Sequence, residues 1–351
     1  VIEVAEAAEL DIAIDGALTR IRDRAAGVGP GFEALGDAIT RAARGGKRFR
    51  PALVAASFRS FPAGERDTPA VLSVATAFEL LHTAFVVHDD VIDHDVVRRG
   101  VPNVAGEFRV RGRRSGADEQ GAAQLGDAAA ILAGDLLLHE AIRLVAMADV
   151  EPPVRQRLLA LVDDAMFVSA AGELADVEHS VAADCAPAEQ IFDAAFNKTA
   201  VYSFQAPLQA GAVLAGATSD AVRVLGHAGG LLGLAFQLVD DLIGAFGTPE
   251  QAGRDSGGDL REGKRTPLVA LARESAQWSD VDATLVLART GPVAVQDARR
   301  ALDASGARER LRAVIDQTLA EVRDTSLDPV LPTATGHLLR TLAGGIEGRI
   351  P

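Results

Sequence analysis

Residues 68–93 read TPAVLSVATAFELLHTAFVVHDDVID. Thr68-Pro69 has the form of an N-cap followed by a first-turn proline. From there Val71, Val74, Ala75, Phe78, His82, Phe85, Asp89 and Asp93 recur at steps of three or four, which is one face of a helix. That face is apolar along most of its length and acidic at its end. The two aspartates stand about one turn, ~5.4 Å, apart.

Working outward, the rest of the chain has the same texture. Ala and Leu are abundant, Tyr and Trp occur once each, and alternating β-branched runs are rare, so the 351 residues read as an all-α protein. Gly45-Gly46 breaks one helix and Pro51 starts another. Pro187 opens a segment with Ile191, Ala195, Lys198 and Tyr202 on one face. Gly229-Gly230 precedes a segment carrying Gly233, Gln237, Asp240 and Gly244 at helical spacing. The stretch from Ala105 to about Gly126, AGEFRVRGRRSGADEQGAAQLG, is rich in Gly and Arg and reads as a loop or mobile insert, as does Gly253–Lys264 as a loop. No repeat and no linker divides the chain, so 1–351 is expected to be one domain.

Composition narrows the function. A hydrophobic share of 48% supplies a sizeable core. Lys+Arg 35 against Asp+Glu 49 gives a net charge of −14, which argues against a general nucleic-acid binder but not against phosphate ligands held by a local basic cluster. No uninterrupted apolar run reaches the ~18 residues of a membrane span. The acidic N-terminus lacks the pattern of a signal peptide. With Cys185 as the single cysteine, a reducing cytoplasm is the expected location.

Six constellations could carry chemistry. In HDDVID, residues 88–93, paired carboxylates on one helix face repel unless a divalent ion joins them. Mg²⁺ suits such a pair, because it takes one or two carboxylates plus waters and substrate phosphates; a solvated acidic turn is the competing reading. Asp240-Asp241 lies in the apolar context FQLVDDLIGAFG, where unpaired charge is costly. GGKRFRP, residues 45–51, sets three cations behind a flexible Gly pair, matching the needs of a diphosphate. Arg98-Arg99-Gly100, Lys198-Thr199 and the loop GRDSGGDLREGKRTP, residues 253–267, complete the set.

In this order, from about Gly45 to Pro267, the six motifs resemble those of the trans-isoprenyl diphosphate synthases, the polyprenyl synthetase family. The resemblance implies an antiparallel helix bundle around a deep central cavity. It implies that Lys47, Arg50, His82 and Arg99 hold the diphosphate of isopentenyl diphosphate. Arg98, Lys198, Gln237, Arg254 and Lys264 would face the allylic diphosphate (dimethylallyl, geranyl or farnesyl), with Thr199 beside its C–O bond. Asp89 and Asp93 would bind two Mg²⁺ ions and Asp240 a third. A homodimer is implied as well. Ionisation of the allylic substrate would be driven by stabilising its leaving group, and the isopentenyl double bond positioned to meet the cation. The released diphosphate would serve as base.

Three positions depart from the family pattern. Gly244 stands at the fifth place of the second aspartate motif, so one carboxylate is missing there. Arg254 replaces a lysine, and Glu173 replaces a glutamine in GELAD, whose Asp176 is kept. A class I terpene cyclase would be expected to lack GGKRFRP, and a non-catalytic modulatory subunit to lose the acidic or basic motifs. A metal phosphohydrolase built on His88 would leave the basic motifs unexplained. For product length, Phe85 lies one turn before Asp89 and Ala84 is small. One aromatic at these two places implies a twenty-carbon geranylgeranyl product, with farnesyl or longer chains as alternatives; ordinary interhelical core is the other reading of Phe85.

Overall fold

A computed structural model describes residues 4–62, 68–182, 184, 186–248, 251 and 257–351. All regular structure among them is helical except one two-stranded hairpin. The chain divides into two compact units. The first comprises Val1–Arg59, Ala63–Ala160 and Ala210–Gly216, and the second comprises Ser60–Pro62, Leu161–Gln209 and Ala217–Pro351.

The first unit holds α1 (Val4–Ala26), α2 (Pro30–Ala42), α3 (Phe49–Ser60), α4 (Thr68–Ile92), β1 (Val97–Arg98), β2 (Val101–Pro102), α5 (Val104–Arg114) and α6 (Glu119–Ala146). The periodicity of residues 68–93 is realised in α4, which packs along α6. Phe78, Leu80, Leu81 and Ala84 are buried on it; each large side chain so buried contributes roughly 1.5–3 kcal/mol. Helix α3 starts two residues earlier than Pro51 suggested.

The stretch from Ala105 to Gly126 is not a loop. Asn103 caps α5, its side chain accepting from Gly106 N at 2.9 Å, and Asp118 caps α6, accepting from Gly121 N at 2.8 Å. Its glycines are points of close approach: a Cβ on Gly112 would come 3.1 Å from Ala122 Cα, and one on Gly126 would come 2.6 Å from Ala105 O. Its arginines are paired, Arg109 with Asp127 at 2.9 Å and Arg113 with Glu119 at 2.7 Å. Composition read as loop therefore serves two tightly apposed helices.

The second unit contains α8 (Ala188–Ala195), a π-helical segment (Phe196–Gln205) and α10 (Ser219–Phe246), followed by helices at Gly258–Glu262, Pro267–Arg273, Trp278–Ala288, Pro292–Ala304, Ala307–Thr325 and Thr333–Glu347. Helices α7 (Pro152–Val181) and α9 (Ala206–Leu214) each span a unit boundary, as does α3 at its last residue, Ser60. Gly229-Gly230 does not interrupt α10. A Cβ on Gly229 would lie 2.9 Å from Gln205 Cα, and one on Gly233 would lie 2.5 Å from Ala200 Cα. These glycines let α10 and the π-helical segment touch backbone to backbone. Lys198 and Tyr202 fall in the π segment, so the regular spacing expected from Pro187 onward ends at Ala195. The loop expected at Gly253–Lys264 includes the helix Gly258–Glu262; residues 253–256, with Arg254 among them, lie outside the described residues.

Among the described residues two helices, Pro69–Ile92 and Ser219–Phe246, are long and apolar enough to cross a membrane by length and composition, each interrupted by polar residues such as Glu79 and Gln237. Their most apolar windows are 72% and 67% buried inside the protein, as in core helices.

Candidate active site

In the first unit α4 stops at the acidic motif. Asp93 N donates to Asp89 O at 2.8 Å, and Asp95 N to Asp90 O at 2.8 Å, with His94 between them in the left-handed region at φ 58°. A helix C-terminus carries partial negative charge, which disfavours carboxylates and favours cations. Asp89, half-buried, and Asp93, exposed, stand there. Asp90 is used differently. It is 4% exposed, and its Oδ1 accepts from Arg98 Nε at 2.8 Å and lies 2.6 Å from the second guanidinium nitrogen, which is 3.5 Å from Asp89. Burial pushes the Asp90 carboxyl above its ordinary range, opposed by the Arg98 hydrogen bond and charge. For Arg98 burial acts downward, but Asp90, Asp89 and Asp95 prevail and hold it above its usual value.

Arg99 and Gly100 form the two-residue turn between β1 and β2, closed by the pairing of Arg98 with Val101. Arg99 and Gly100 have φ 55° and 78°, the positive values such a turn demands. The Arg99 guanidinium lies over Gly45 and Gly46, with a nitrogen 3.6 Å from where a Cβ on Gly45 would stand. The two basic motifs therefore meet. Lys47 is exposed in the same loop. Arg48, by contrast, is a brace: it donates to Ala43 O at 3.0 Å and pairs with Asp11 at 3.1 Å and with buried Glu79 at 2.7 Å. His82, two turns before Asp89, is held well below its ordinary pKa by burial and then by the charges of Arg50, Arg98 and Arg99. The positive field of these three arginines is suited to an anion. Phe85 is half-buried, unlike the core residue Phe78 at 1% exposure, while Ala84 is fully buried.

In the second unit a second polar array forms. Lys198 pairs with Glu173 at 3.1 Å and Asp176 at 2.8 Å, both on α7. Gly172 admits this approach, since a Cβ there would overlap the Lys198 backbone. The Thr199 hydroxyl donates to Gln237 Oε1 at 3.0 Å, and Gln237 Nε2 donates to Asp241 Oδ1 at 3.0 Å. Burial, then Asp259, Asp240 and Asp176, drive the Asp241 carboxyl well above its ordinary range against the Gln237 hydrogen bond. Asp240 is half-buried and pairs with Arg349, whose guanidinium sits 4.3 Å over the Phe236 ring. Lys264 is exposed beside Glu262 at 3.3 Å. Arg265 is bound to the end of α7, donating to His179 O and Ala182 O at 2.8 Å each.

Among the described residues no group of three His, Cys, Asp or Glu is arranged to hold a metal ion. The carboxylates come in oxygen-only pairs, a donor set that fits Mg²⁺ when phosphate oxygens and waters complete its shell. His88 Nε2 lies 3.2 Å from Ile131 O and 3.6 Å from Asp135, and its ring packs on Gly134.

A profile of the family described as Polyprenyl synthetase matches residues 33–304. The chain belongs to the polyprenyl synthetase family. A geranylgeranyl diphosphate synthase of Sulfolobus acidocaldarius is 34% identical over 232 residues, 66% of this chain and 64% of that enzyme. A nonaprenyl diphosphate synthase of Mycobacterium tuberculosis is 32% identical over 82% of this chain and 79% of its own length. Among solved structures, geranylgeranyl pyrophosphate synthase of Corynebacterium glutamicum, in complex with isoprenyl diphosphate and magnesium, superposes with a TM-score of 0.88 over 97% of each chain at 27% identity. The polyprenyl synthetase family comprises trans-prenyltransferases, and the fold is the all-α one shared by their structures. The relatives' names span twenty-carbon to much longer products, so kinship alone leaves chain length open.

Sequence reasoning missed Asp90 as the anchor of Arg98 and Arg349 as the partner of Asp240. Asp90 sits in the quoted motif itself, where its off-face position between Asp89 and Asp93 was the available signal.

Proposed function

We propose that this polyprenyl synthetase condenses isopentenyl diphosphate with an allylic diphosphate to give geranylgeranyl diphosphate, acting as one domain whose motifs are divided between the two units. The observation that carries this reading is the meeting of the Arg99 guanidinium with the Gly45-Gly46 turn, beside Arg98 anchored on Asp90, near the end of the helix that carries His82 and Asp89. Lys47, Arg50, His82 and Arg99 are assigned to the isopentenyl diphosphate. The imidazole accepts or donates one hydrogen bond without adding charge, and the guanidiniums supply the countercharge. Arg98, fixed by Asp90, is assigned to the allylic diphosphate with Lys198, Gln237, Arg254 and Lys264. Thr199, oriented by Gln237, is placed beside the allylic C–O bond. Asp89 and Asp93 would hold two Mg²⁺ ions and Asp240 a third. When bound, these ions neutralise charge on the departing diphosphate.

Phe85 is assigned to the floor of the hydrocarbon site beside the small Ala84. Its half-buried state supports that role over a purely core one. A homodimer is supported by exposed apolar side chains along α6, Leu125, Ile131, Leu132 and Ile142. A cytoplasmic location is supported by the single cysteine. Product analysis tests the chain length: after dephosphorylation and chromatography, a twenty-carbon alcohol is expected, and a fifteen-carbon alcohol or one of twenty-five carbons or more would overturn it.

A further inference from the structure

Lys198 starts from a tightly fixed position in the second unit. It lies in the π-helical segment, and its backbone is pressed onto α7, where a Cβ on Gly172 would overlap Lys198 N and stand 2.8 Å from Lys198 Cα. Two carboxylates of α7 take its ammonium, Glu173 at 3.1 Å and Asp176 at 2.8 Å. They stand three residues apart on the helix, hence side by side on one face, and would repel each other without a cation between them. The two are unequal. The Glu173 side chain is 22% exposed and that of Asp176 is 52% exposed, so water screens Asp176 more and Glu173 depends more on the lysine.

An anion that binds Lys198 must therefore compete for it. What a diphosphate gains from the ammonium is offset by leaving a partly buried carboxylate beside another of the same sign. A glutamine at 173 could accept a hydrogen bond from the ammonium but would carry no charge to be stranded. We propose that Glu173 is a positioning residue that moderates the allylic site: it holds the Lys198 ammonium against α7, and an allylic diphosphate has to draw that ammonium away from it. The proposal rests on the reading that Lys198 faces the allylic diphosphate. It means that an allylic ligand, whether primer or elongated product, is held less tightly and leaves sooner than a neutral residue at 173 would allow. The isopentenyl diphosphate, assigned to other residues, should be indifferent to it.

The probe is geranyl S-thiolodiphosphate, whose bridging sulfur resists ionisation, titrated by calorimetry into the full chain with Mg²⁺. The proteins are wild type, Glu173→Gln, Lys198→Met and the double variant Glu173→Gln/Lys198→Met. Glu173→Gln should bind the probe about threefold to tenfold more tightly, the scale of one partly exposed ion pair. Lys198→Met should bind it more weakly, and in the double variant the gain should vanish, because no ammonium is left to release. Steady-state kinetics should show a split between substrates: Glu173→Gln lowers the KM for the allylic diphosphate and leaves that for isopentenyl diphosphate unchanged. A carboxylate with a merely structural role would not tighten binding when neutralised. No gain in Glu173→Gln, with binding weakened in Lys198→Met, overturns the role of Glu173 and leaves the placement of Lys198 standing. An equal gain with and without Lys198 shows direct repulsion of the ligand and overturns the positioning. No loss in Lys198→Met removes the underlying reading.

Discussion

At His82, burial and the charges of Arg50, Arg98 and Arg99 all act against protonation. The unfolded chain has no such environment, so its histidine takes a proton near pH 6.5 while the native one stays neutral. Stability linked to His82 is therefore complete above about pH 6.5 and lost as pH falls from there toward the lower native value, because the unfolded state binds more protons in that window. Denaturant titrations between pH 7.5 and 5.5 should show this slope, and it should shrink in His82→Gln; an equal slope in both would remove His82 from the account. Lys47→Ala and Arg50→Ala should chiefly raise the KM for isopentenyl diphosphate, each losing a charge-assisted contact of roughly 1.5–3 kcal/mol. Steady-state kinetics with each substrate varied separately decide this, and a defect confined to the allylic substrate would reverse the assignment of the two diphosphate sites. Residues such as Asp89, Asp93 and His82 were legible because helical spacing alone puts them on one face. The roles of Asp90 and Arg48 were not, because each depends on a partner distant in sequence or on which way a side chain turns.

Among the elements, α4 was legible almost to its ends, since twenty-five residues of apolar periodicity leave little freedom. Helix α5 and the start of α6 were not, because glycine and arginine resemble loop material. There the glycines serve close backbone approach and the arginines serve ion pairs, both non-local facts; the caps Asn103 and Asp118 were the readable signals. The π-helical segment at Phe196–Gln205 also escaped the sequence, since a wide turn leaves no period of its own over ten residues. Its effect is to set Lys198 toward Glu173 and Asp176 and Thr199 toward Gln237. Phe85 belongs to this scale because its effect runs along α4. Phe85→Ala should lengthen the product at retained turnover. If Phe85 is instead ordinary core, the same variant should keep the product and lose ~3–5 kcal/mol of stability. Chromatography of the products beside a urea melt separates the two outcomes.

Over the whole molecule, a chain with a net charge of −14 concentrates cations where anionic substrates are expected, in the segment from Gly45 to Arg50 at the start of α3 and in the Arg98–Gly100 hairpin. Acidic residues gather at the end of α4 and along α10, as a reaction assisted by divalent cations requires. Together these motifs are proposed to elongate a prenyl chain in a single polypeptide. This is tested by incubating the purified chain with labelled isopentenyl diphosphate, an allylic diphosphate and Mg²⁺, beside Asp89→Ala. Label is expected in an acid-labile product longer than the primer by whole five-carbon units. Formation should be abolished by chelating the metal and slowed by about 10²–10³-fold or more in Asp89→Ala, in line with the loss of one electrostatic contributor. A cyclic hydrocarbon formed from the allylic substrate alone, or incorporation that requires a second protein, would contradict it.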